Sequence, residues 1–191
     1  MKKLMVALLL LAAMSSLAAA QTQPFIGMYA DDQGVLCQAD VTQYATSTVY
    51  FFAVLPPEIT AITAAEFSVD NLPGATMALM TPHWETTLVI GDLGYGIALA
   101  FSPAIPGPNA FMGSVDFFVL NDFGPDFRMT VMASNDSGNL VVVDTDFNEV
   151  PCETAQHFFT FNCTGGLPYG CDCTETIATE DATWGQIKAL Y

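Results

Sequence analysis

Positive charge is nearly absent from this chain: of 191 residues only four are Lys or Arg, against 20 Asp or Glu, and the net charge is −16. A polyanionic partner needs clustered cations to displace its counterions, so nucleic-acid binding is excluded. Beyond the first three residues the basic side chains are Arg128 and Lys188. Histidine is as scarce, with His83 and His157 alone, and no G-x-S-x-G elbow, HExxH helix or phosphate-cradling glycine loop occurs. No catalytic residue is assigned, and the chain reads as a non-enzyme. A helical period is missing between Pro24 and Cys163, and so is an internal repeat. After residue 20 no apolar run approaches the roughly 18 residues of a membrane helix. Apolar side chains are nevertheless plentiful, at 52% hydrophobic against 13% charged, which excludes a disordered chain.

Residues 1–20, MKKLMVALLLLAAMSSLAAA, carry two lysines, an apolar run from Leu4 to Met14 and small residues ending in Ala20. This is the pattern of a secretory signal peptide, with Gln21 the expected mature N-terminus and a secreted destination: periplasmic, extracellular or associated with the cell surface. Its removal takes two of the four basic side chains, leaving a still more acidic chain with no transmembrane segment.

From Pro24 onward, short apolar runs alternate with Gly, Pro, Asn and Asp clusters, which predicts an all-β fold, a two-sheet β-sandwich. The expected strands are 47–55, 65–69, 86–90, 96–101, 111–120, 127–133, 140–143 and 157–161. In 112–117 the alternation places Met112, Ser114 and Asp116 on one face, wet, and Gly113, Val115 and Phe117 on the other. Pro56-Pro57, 71–74, 102–109, 121–126 and 135–139 read as loops. The sandwich domain is expected over 21–162, a Cys- and Gly-rich linker over 163–181, and a tail over 182–191. In that tail Thr183 and Gln186 have capping-box spacing, and Trp184, Ile187, Leu190 and Tyr191 share a stripe, predicting a short C-terminal amphipathic helix able to dock on a partner. An outer-membrane barrel is disfavoured by the loop prolines and the cysteine cluster.

Five cysteines, Cys37, Cys152, Cys163, Cys171 and Cys173, suit an oxidising compartment and two disulfides with one spare thiol. Spacing does not choose the pairing. Loop entropy favours joining Cys37 to Cys152 across the domain, with Cys163 then paired to Cys171 or Cys173. The Cys171-Asp172-Cys173 step lacks the two spaced pairs of a zinc site.

Asp144, Asp146 and Asn148 have the alternate spacing of calcium ligands, making a structural calcium the one cofactor to weigh. Glu149 and Ala155 stand where an EF-hand loop needs Gly and a bidentate Glu. A second oxygen-rich loop contains Asn121, Asp122 and Asp126; in both, turn formation accounts for the residues equally well. Trp84, Tyr95 and Tyr50 are the aromatic candidates for contact with a partner or a carbohydrate. His83 and Trp84 are expected in a loop, His157 in a strand, and Asp116 on an outer face.

Three segments, ITAAEFSVDNLPGATM (62–77), GYGIALAFSPAIPG (94–107) and MGSVDFFVL (112–120), resemble the strand succession of cohesin-type and carbohydrate-binding-module-type β-sandwiches. The resemblance implies a jelly-roll or cohesin-like body that binds a protein partner through one sheet face, and assigns no contact residue. IGMYAD (26–31) and the tail TWGQIKALY also resemble a group of secreted bacterial proteins that lends no activity; VVVDTDF (141–147) departs from that group by placing Thr145 where it has Cys. The expectation is a secreted, non-catalytic binding or surface-assembly module with a protein partner, its alternative a carbohydrate-binding module and its third reading a secreted hydrolase.

Overall fold

The computed structural model describes residues 23–153 and 157–165 together with Cys171, and within them twelve strands and no helix. The expected signal peptide, Cys173 and the tail with Trp184, Ile187, Leu190 and Tyr191 lie outside the described residues.

One sheet has the order β1-β3-β8-β5, built from β1 (Phe25–Tyr29), β3 (Thr46–Val54), β8 (Asn109–Val119) and β5 (Ala78–Trp84). The other is centred on β4 (Ala61–Asp70). On one side β4 pairs with β7 (Gly96–Pro106), which pairs with the edge strand β6 (Leu88–Asp92). Elsewhere β4 pairs at residues 62–66 with β10 (Val141–Asp144), which carries β11 (Glu149–Pro151). At residues 68–70 it pairs with β9 (Phe127–Met132), which leads to β12 (Phe158–Phe161) and β2 (Gln38–Ala39). β2 and β12 run parallel; the other pairings are antiparallel.

The core forms where the alternating inner positions meet: Val49, Phe51 and Ala53 of β3, Phe67 and Val69 of β4, Val115 and Phe117 of β8, and Phe159 and Phe161 of β12. Phe51 and Phe67 meet across the layers with centroids 5.9 Å apart. Burying such side chains contributes about 1.5–3 kcal/mol each and drives the collapse. A second cluster, absent from the sequence reading, holds Phe25, Tyr29, Phe52 and Val54 with Tyr50 and Phe111. Phe25 and Tyr29 are alternate positions of β1, Tyr50, Phe52 and Val54 of β3, and Phe111 joins them from β8, so both faces of β3 are apolar.

Several expectations are corrected. β5 is a strand where the sequence read a loop, so His83 and Trp84 lie in a sheet, opposite Ser114 and Gly113 of β8. β7 runs on through part of the expected loop 102–109. Ala64 faces Ala100 but Ile62 faces Ile105, so Ser102 and Pro103 fall in a bulge where no ladder amide is required of proline. Met112 is buried, not wet. Phe51 pairs with Gly113 while Phe52 pairs with Phe111, and this one-residue bulge reverses the facing of β8, so that Met112 and Val115 both point inward. Gly113 has φ +143, and a Cβ there would lie 2.5 Å from the carbonyl oxygen of His83 and 2.7 Å from Cα of Trp84, which restricts the position to glycine.

The disulfide joins Cys163 to Cys171, with Cα atoms 5.9 Å apart. Cys37 is also disulfide-bonded, but Cys152 is a free, buried thiol, so the expected Cys37–Cys152 link does not form. Cys152 sits in the core just after β11, its amide donating to Leu140, and burial pushes its thiol up to about 12.

Candidate binding face

Cross-strand register sets two rows of side chains across the outer face of β6, β7, β4 and β10. Leu88 faces Ala100, which faces Ala64, which faces Val143. One step along, Ile90 faces Ala98, then Glu66, then Val141. Alternate residues of a strand share a face, so the inner partners Leu99 and Ala65 enter the core and Val89 turns to the same side at the edge, while the rows lie on the opposite face, where Val141 at their far end is covered. The alanines keep the middle flat. Leu88 and Ile90 stand proud at the edge, 58% and 68% exposed. The single charge in the rows, Glu66, accepts a 2.6 Å hydrogen bond from the Ser137 hydroxyl. A flat, weakly charged face of this kind suits contact with another apolar surface.

The outer face of the opposite sheet has a polar cluster. The Thr48 hydroxyl donates to Asp116 Oδ1 at 2.6 Å, and Nε2 of His83 lies 3.2 Å from Asp116 Oδ2. Thr48 and Thr81 flank Asp116 in register, and Ser114 faces His83. The carboxylate lies between hydroxyl and imidazole, whereas nucleophile activation needs the imidazole between the other two. Asp116 thus ties three strands together at an exposed site.

His157 is buried and stacks on Phe25, ring centroids 4.0 Å apart and planes 8° from parallel. Burial pulls its imidazole down to about 4, and no hydrogen-bond partner meets Nε2 among the described residues.

The aromatic candidates are dispersed. Trp84 turns inward, edge-on to Phe51 and Phe67 at 5.3 and 6.3 Å. Tyr50 is half-buried beside Phe111, and Tyr95 is exposed at the β6–β7 turn. They form no shared platform for a sugar ring.

The carboxylates of the oxygen-rich loops are held by hydrogen bonds from the protein itself. Asp144 Oδ1 accepts from the amides of Asp146 and Asn148, at 2.8 and 2.9 Å, while Oδ2 accepts from the Asn148 side chain at 3.0 Å. These bonds, the Asn148 side chain first, hold the Asp144 carboxyl below its ordinary range. The Thr164 amide and hydroxyl, each 2.7 Å away, do the same for Asp126. Asp122 accepts from the Gly124 amide, and Asn121 donates to the Thr76 carbonyl. One three-residue group brings possible ligand atoms within 4.8 Å of each other among the described residues, Asp126 with Cys163 and Cys171, but the disulfide leaves those sulfurs no thiolate to offer.

No protein-family model and no curated protein matches the chain. Solved structures similar to it include the cohesin module of a Clostridium perfringens family 33 glycoside hydrolase, at 11% identity and TM-score 0.47, covering 75% of this chain and 99% of the module. A non-cellulosomal cohesin from Archaeoglobus fulgidus is 16% identical with TM-score 0.41, covering 73% and 91%. A type III cohesin module from the cell-surface anchoring scaffoldin ScaE of Ruminococcus flavefaciens is 13% identical with TM-score 0.44, covering 78% and 91%. These are cohesin modules, as the resemblance of residues 62–77, 94–107 and 112–120 implies; the architecture itself rests on the strand order and register given above.

Proposed function

We propose that this chain is a secreted, non-catalytic binding or cell-surface assembly module that takes a protein partner on the outer face of β6, β7, β4 and β10. The observation that carries this reading is the pair of cross-strand rows through Leu88, Ala100 and Ala64 and through Ile90, Ala98 and Glu66. An exposed Leu and Ile beside a bed of alanines would bury apolar area against a complementary surface, while Glu66 and the acidic surroundings would orient it.

Affinity capture from the native secretome, with wild-type chain and two variants, tests this. Ile90→Glu places a charge in the apolar rows; Tyr50→Ala alters the opposite sheet and leaves the rows intact. A partner retained by wild type and Tyr50→Ala but bound at least about thirtyfold more weakly by Ile90→Glu supports the face, as expected where a charge replaces a protruding apolar anchor. Equal retention by all three removes it from the account.

A further inference from the structure

We propose that the open flank between β5 and β6 binds a small cationic amphiphile, a short alkyl or aryl tail carrying an ammonium head. The two sheets part at this flank. Met80 and Trp84 of β5, Val89 of β6, Ile97 of β7 and Val115 of β8 line a cavity of about 390 Å³. That volume is within the roughly 300–1,000 Å³ of small-molecule sites. At its mouth Met80 and Val89 are 42% and 37% exposed, whereas Ile97 and Val115 at its floor belong to the closed core. The cavity therefore leads from solvent to the apolar interior, and burying a tail there is the driving term.

Asp92 is the one charged side chain in the lining. Its Oδ1 accepts from the amides of Gly94 and Tyr95, at 3.0 and 2.9 Å, which fixes the carboxylate at the β6–β7 turn and holds its negative charge in place to attract a cationic head, with no hydrogen bond required. Charge selects the head group. With 20 acidic against four basic side chains in the chain, an anionic amphiphile such as a fatty acid is repelled and an ammonium is drawn in. Strand addition is a poorer fit to this flank, because Pro82 stands in the middle of the edge strand β5 and has no amide to offer. The apolar lining residues Met80, Trp84, Val89, Ile97 and Val115 lie in the inward phase of their strands, while Asp92, at the β6–β7 turn, continues the phase of Leu88 and Ile90 at the rim of the cavity.

A Trp184→Phe chain leaves Trp84 as its sole tryptophan and hence a reporter at the cavity. Titration with octyltrimethylammonium below its micellar range is expected to give a saturable emission shift with a dissociation constant of about 1 mM or tighter. Octanoate and tetramethylammonium, each lacking one half of the ligand, should bind at least about tenfold more weakly. Asp92→Asn keeps an Oδ1 acceptor for the turn and should reduce the preference for octyltrimethylammonium over octanol by up to about fivefold. Val89→Trp fills the mouth and should abolish the shift while circular dichroism stays β-rich. Octanoate binding as tightly as the ammonium, an unchanged preference in Asp92→Asn, or no saturable shift would each overturn the proposal, and the Asp92→Asn comparison stands even where Val89→Trp does not fold.

Discussion

Acidification should unlock this sandwich at His157. The ring is 8% exposed and lies flat against Phe25 at the start of β1, which places a titratable group where β1 meets the residue leading into β12. Burial lowers its pKa from the ordinary 6.5 to about 4, so the folded chain resists a proton that the unfolded chain accepts. The histidine contribution to stability is complete above about pH 6.5 and is lost as pH falls toward 4, where both states bind the proton. At about 1.4 kcal/mol for each tenfold change in proton affinity, the loss amounts to up to about 3 kcal/mol, a large share of the stability of a domain this size. Urea unfolding at a series of pH values measures it. His157→Phe preserves a stacked ring and removes the titration, so the difference between wild type and variant isolates this residue from the general easing of acidic self-repulsion. Wild type should weaken relative to the variant between pH 6.5 and 4. Parallel curves for the two proteins, or an imidazole that titrates by NMR near 6.5 in the folded chain, would refute the reasoning.

Gly113→Ala should cost about 3 kcal/mol or more in urea unfolding, since a Cβ meets the backbone of β5 at a strained φ; a cost below about 1 kcal/mol would mean the bulge at Met112 relaxes freely. Cys152 should resist thiol reagents in the folded chain and react once unfolded in urea, as peptide mapping of the labelled site would show; rapid native labelling would contradict its place in the core. Adding EDTA should leave the thermal midpoint unchanged, because the Asp144 carboxylate is occupied by its own loop and that of Asp126 by Thr164, and a fall in the midpoint would return one of those loops to cation binding.

The sandwich was legible because its strands keep a two-residue period, and 47–55, 127–133 and 140–143 come within a residue or so of β3, β9 and β10. What escaped depends on pairing partners that no local window contains. β5 is a strand because β8 accepts it, although its segment carries Pro82 and alternates weakly. The facing of Met112 turns on a bulge set by β3, and the long reach of β7 on a bulge opposite Thr63. Cys37 and Cys152 satisfied loop entropy on paper, but Cys152 folds into the apolar core after β11, where a thiol packs as a small hydrophobe. The candidate face was half visible: Leu88 and Ile90 alternate in an expected strand, and so do Ala98 and Ala100, but only the register of β6, β7 and β4 shows that they share one surface. Asp116 was placed correctly outside, while its bonds to Thr48 and His83 needed β3 and β5 as neighbours.

The most direct measurement of the account's central claim is amide hydrogen exchange on the chain alone and with the partner captured from the secretome. Slowed exchange in β6, β7 and the facing part of β4, with β1, β3 and β8 unchanged, is the expected footprint. Protection confined to the β1-β3-β8-β5 sheet, or no protection in any described strand, would contradict it.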